Sequence, residues 1–141
     1  MKVFEEIKEK FEQEQKEQAR IKRERKDVFE GRKQMAVSTA RRIMEDGEPL
    51  HGIVHTSQHY TMRKGRAVYE MHSFYLGEKP QHFYEVGVAV NNDTKSVNII
   101  LIKSGFDILD TKSVESVEEA ERAIHRFLEY TAEELYKALY N

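Results

Sequence analysis

No proline occurs before Pro49, and the residues ahead of it are dominated by Glu, Lys, Gln and Arg, all good helix formers. This run constrains the fold more than any other feature, because a helix over residues 2 to about 46 is ~65 Å long at 1.5 Å per residue. A small domain cannot cover such a rod. Its apolar residues fall on a partial heptad of Phe4, Ile7, Phe11, Ile21, Val28 and Met35. Glu14, Gln18, Arg25 and Arg32 interrupt the same seam, whereas a sustained coiled coil is apolar at nearly every seam position. Phe4, Ile7, Phe11, Ile21 and Val28 are therefore expected to contact a partner protein or a second copy, as apolar residues that project beyond a domain require. Gly31 predicts a bend, and Ala36, Ala40, Ile43 and Met44 form a shorter apolar face behind it. Gly47 followed by Pro49 ends the helix.

Charge divides the 141-residue chain in the same place. Residues 1–48 hold 13 basic and 12 acidic side chains, 49–110 six and six, and 111–141 four and seven. The expected organisation is a charged N-terminal helix (1–48) and one α+β domain (49–141). The net charge of −2 gives no global attraction to nucleic acid or membranes. Cysteine is absent, which excludes disulfides, thiolate metal sites and cysteine nucleophiles. No apolar run approaches the ~20 residues of a membrane span. The start, Met1-Lys2-Val3-Phe4-Glu5-Glu6, lacks an apolar leader, so a cytoplasmic location is expected.

Beyond residue 49 the period changes. Turn chemistry at Arg63-Lys64-Gly65, Gly77-Glu78-Lys79-Pro80, Asn91-Asn92-Asp93-Thr94 and Ser104-Gly105 separates five strand-like runs, about 50–61, 66–76, 81–90, 96–103 and 106–112. Short connections imply an antiparallel meander. Tyr84, Val86, Val88 and Val90 alternate onto one face. Pairing 76 with 81 extends that face through Ala67, Tyr69 and Met71, and Val97, Ile99 and Leu101 continue it. Residues 116 to about 139 form the second helix, opened by a Ser116/Glu119 capping box. Its stripe of Val117, Ala120, Ile124, Phe127, Thr131, Leu135 and Ala138 should lie on the sheet. The expected fold is α+β: a long N-terminal helix, a five-stranded antiparallel meander, and a C-terminal amphipathic helix packed on it.

Three constellations could carry chemistry. His51, His55 and His59 recur every four residues, but on a strand that spacing is ~13 Å, too far to share an ion. Pairing 60 with 67 and 76 with 81 instead aligns His55, His72 and Glu85 across three strands, a possible ligand set for zinc or non-haem iron. Asp107 and Asp110 fall on opposite faces by parity. The second constellation is aromatic and basic: Tyr60, Tyr69, Phe74, Tyr75, Phe83 and Tyr84 lie among Arg63, Lys64, Arg66 and histidines, the mixture that stacks bases and holds phosphates. Phe74 beside Phe83 would form the face opposite the core, covered by the Ala36–Met44 segment. The third is basic: Arg32, Lys33, Arg41 and Arg42 occupy a stretch without acids.

The sequence contains no Gly-rich phosphate loop, no G-x-S-x-G elbow and no H-E-x-x-H helix. The expectation is a small, non-enzymatic cytosolic binding or regulatory protein, of inhibitor or adaptor type, with no cofactor. It would act through protein–protein contacts, with a nucleic-acid-handling protein as one class of partner. The competing expectations are a nucleic-acid-binding module using residues 32–42 and 59–84, and a metal-dependent enzyme using His55, His72 and Glu85.

Overall fold

A computed structural model of the chain describes residues 2–46, 53, 55–77, 84–104 and 107–140. The elements are α1 (Lys2–Asp46), β1 (His55–Lys64), β2 (Ala67–Leu76), β3 (Tyr84–Asn91), β4 (Ser96–Lys103), β5 (Asp107–Ser113) and α2 (Val117–Tyr140). The strands form one antiparallel sheet in the order β1-β2-β3-β4-β5, the expected meander. The predicted ends at Gly47 and Pro49 lie outside the described residues. Helix α1 is continuous across Gly31, where the chain divides into two compact units.

The first unit, up to Gly31, is a charged helix. Lys8 pairs with Glu12 at 4.0 Å, and Arg20 holds both Glu17 and Glu24, the neighbours one turn either side. Phe4, Ile7, Phe11 and Val28 stay exposed on it.

In the second unit, Arg32–Asn141, β1 and β2 meet at a two-residue Gly65-Arg66 turn. Gly65 has φ 62°, which glycine adopts without strain and which suits the twist of a tight hairpin. The register differs from the expected one. Tyr60 pairs with Met71 and Leu76 with Tyr84, not residue 67 and residue 81. The second change is odd-numbered, because the β2–β3 connection runs over 77–83, and an odd shift reverses the faces of β2. Val68, Glu70, His72, Phe74 and Leu76 therefore share a face with Val86, Val88, Val90, Val97, Ile99 and Leu101, while Tyr69 and Met71 turn to the other side.

Both helical segments of this unit lie on the valine face. The Ser116 hydroxyl accepts the Glu119 N–H at 3.2 Å, and the Glu119 carboxylate reaches back to the N–H of Glu115 at 3.2 Å, so the helix start is capped in both directions. Ala120, Ile124, Phe127, Thr131 and Leu135 are buried as α2 packs on β3 and β4, whereas Val117 is exposed. The Tyr84 and Tyr130 rings meet edge-on at 6.2 Å. Residues 32–46 of α1 lie beside α2, since Lys33 reaches Glu70 at 2.9 Å and Arg42 pairs with Glu121. Ala36, Ala40, Ile43 and Met44 are buried there, on the same face as α2 and not on the opposite one. Phe74 is also buried on this face, opposite Val86; Phe83 lies outside the described residues.

The other face closes on itself. Met62, Met71, Ala89, Ile100 and Ile102 form a small core, with Tyr60, Tyr69 and Ile108 packed against it. Residues 60–64 of β1 and Ile108 of β5 line one cavity of about 350 Å³, although flat strands four places apart would be ~19 Å from one another. The sheet is curled. Gly87 marks the tightest approach: a Cβ there would lie 2.4 Å from the Ser73 Cα and 2.5 Å from the His72 carbonyl oxygen. A register shift at Leu101/Ile102 also places Asp107 (opposite Lys103) and Asp110 (opposite Leu101) on one face, contrary to parity.

Candidate functional site

The row of His55, His72 and Glu85 does not form. His55 pairs with Leu76 and meets the Phe74 ring at 6.2 Å. Glu85 faces the opposite side of the sheet, buried, where it accepts hydrogen bonds from the Tyr60 hydroxyl at 2.5 Å and from Ser73. Burial and the neighbouring Glu85 charge push the Tyr60 and Tyr75 phenols upward. Glu85 serves as a buried acceptor for the Tyr60 and Ser73 hydroxyls.

A different cluster of the same chemistry forms around His72. His59 is its cross-strand partner, and the two imidazoles stack at 4.2 Å with planes 20° apart. Glu70, two residues before His72 on β2, projects from the same face. Its Oε1 lies 2.8 Å from His72 Nε2 and 3.3 Å from His59 Nε2, while its Oε2 accepts the Lys33 ammonium at 2.9 Å. Burial raises the Glu70 carboxyl, but hydrogen bonds and charge from Lys33 and His72 outweigh it and hold the group at about 2. His72 and Glu70 are partly covered, and His59 opens to solvent.

The basic residues separate into two groups. Arg32 donates to the Val114 carbonyl at 3.4 Å, Lys33 is held by Glu70, and Arg42 by Glu121. Internal partners thus engage three of the four cations expected to form the helical patch. Arg41 is exposed beside Ser38, Arg42 and Glu45, and Arg63, Lys64 and Arg66 are exposed around the β1–β2 turn. Of the aromatics, Phe74 and Tyr84 are buried and Tyr60 packs inward, so they do not form an open stacking platform. Phe4, Ile7, Phe11 and Val28 are 68%, 62%, 60% and 63% exposed, with Ile21 less so.

No protein-family model, curated protein or solved structure matches this chain. No described helix is long and apolar enough to cross a membrane.

Proposed function

We propose that this chain is a non-enzymatic binding and regulatory protein that works through protein–protein contacts, and that its N-terminal helix pairs with a second copy. The observation that carries this reading is the set of large apolar residues exposed on one stripe of a helix with charged flanks. Isolated exposed apolar residues are ordinary; Phe4, Ile7, Phe11, Ile21 and Val28 recurring on one heptad seam are not.

The polar residues of that seam favour one arrangement. A parallel pair sets Glu14 against Glu14 and Arg25 against Arg25, both repulsive. An antiparallel pair about a two-fold axis between residues 19 and 20 sets Phe11 against Val28, Glu14 against Arg25 and Gln18 against Ile21. Phe11 meets Val28 and the charges complement, so the interruptions specify orientation at some cost in stability.

The test is the solution mass of the full chain beside the double variant Phe11→Glu/Val28→Glu. The full chain sediments as a dimer and the variant as a monomer with an unchanged circular-dichroism spectrum. Equal masses for the two would remove the proposal.

A further inference from the structure

The side chains around His72 have a use that helix pairing does not touch. We propose that His59 Nε2, His72 Nε2 and Glu70 Oε1 bind a divalent transition-metal ion of the zinc type, with a fourth position open to water. One ligand atom from each of His59, Glu70 and His72 lies within 4.8 Å of the other two. Tetrahedral zinc with bonds of ~2.0–2.1 Å holds neighbouring ligand atoms about 3.3 Å apart. The His59 nitrogen already lies 3.3 Å from the Glu70 oxygen and the His72 nitrogen 2.8 Å, so the ligand atoms are near one another, and occupancy requires the two stacked rings to rotate out of parallel until both lone pairs meet at the ion. Two imidazoles and one carboxylate are also the three-ligand set that leaves zinc with an exchangeable water.

Backbone geometry dictates this convergence. Cross-strand pairing fixes His59 beside His72, and a spacing of two on one strand brings Glu70 to the same face. Lys33 takes the second carboxylate oxygen and leaves Oε1 facing the rings, the orienting role that an outer partner plays at a metal centre. Both Nε2 atoms face this single oxygen. One dication between the two imidazoles and the carboxylate would satisfy all three atoms. His59, exposed at the rim, provides a route in.

The test uses the full chain, stripped with chelator and titrated with zinc chloride against a chromophoric competitor at neutral pH. The expected result is one equivalent bound with a dissociation constant of about 1 µM or tighter. His59→Ala and His72→Ala should each weaken binding at least tenfold, and His55→Ala, outside the cluster, should leave it unchanged. Because His59 is largely exposed, His59→Ala keeps the fold, which a thermal melt without metal verifies. The proposal is overturned if the full chain binds no stoichiometric zinc, or if folded His59→Ala or His72→Ala binds it as tightly as the parent.

Discussion

Gly87→Ala is the sharpest single perturbation of the sheet. Gly87 pairs with Ser73 across the two strands that carry Glu85, Glu70 and His72. The added methyl would sit 2.4 Å from both the Ser73 Cα and Cβ, and 2.5 Å from the His72 carbonyl oxygen. Ordinary van der Waals contact begins about 1 Å farther out, and no terminal side-chain atom is available to swing away. Relief must come from moving β2 against β3, which lengthens ladder hydrogen bonds in the middle of the sheet. Overpacking a core typically costs ~1–3 kcal/mol, and a clash against backbone belongs at or beyond the upper end. A loss of at least ~3 kcal/mol is a large share of the ~5–15 kcal/mol that holds a domain of this size. Urea unfolding followed by circular dichroism measures it as a shift in midpoint at constant slope. A loss below ~1 kcal/mol would refute the close approach and, with it, the β2–β3 pairing that puts Glu70 and His72 on the valine face.

Other consequences are independent of that one. Gly31→Ala, a helical position with nothing within 4 Å of the added carbon, should raise helix stability by up to ~1 kcal/mol, and a loss of helicity would contradict it. Tyr60→Phe removes one of the two hydroxyl donors to the buried Glu85 carboxylate and should cost about 1–3 kcal/mol in the same urea assay; a change within ~0.5 kcal/mol would show the hydrogen bond to be dispensable. Glu70 is depressed to about 2 from an ordinary 4.5, so its contribution is present above the ordinary range and is lost as pH falls through about 2. Solvent screening of this partly exposed group limits the effect to ~1–2 kcal/mol, and Glu70→Gln should flatten the acid limb of the stability profile; an identical profile would exclude the linkage.

Elements whose signals are local were legible in the sequence. Ser116 with Glu119 announced the start of α2, the three-and-four spacing from Ala120 to Leu135 announced its buried stripe, and the alternation of Tyr84, Val86, Val88 and Val90 identified the face beneath it. Register was not legible, because it depends on where a connection ends. Turn-forming Gly77-Glu78-Lys79-Pro80 suggests a four-residue connection, but β3 begins at Tyr84, and that odd difference turns Met71 into the second core and His72 toward the helices. The same slip directed attention to Glu85 in place of Glu70. A Glu and a His two apart on β2, with a His on the preceding strand, were visible as residue types; only the true pairing of His59 with His72 makes them a cluster. Nor does the sequence show that Lys33 would be held by Glu70 in the folded chain, so a cation expected to face a partner is engaged within its own unit.

Pairing of the N-terminal helices is tested most directly by disulfide trapping, for which the absence of native cysteine is an advantage. Chains carrying Phe11→Cys and chains carrying Val28→Cys are mixed and oxidised gently, and the products are resolved by mass. Antiparallel pairing predicts the mixed 11–28 disulfide, because positions 11 and 28 lie opposite one another while like positions are about 25 Å apart along the helix. Like-with-like disulfides, or chains that remain uncoupled, would contradict it.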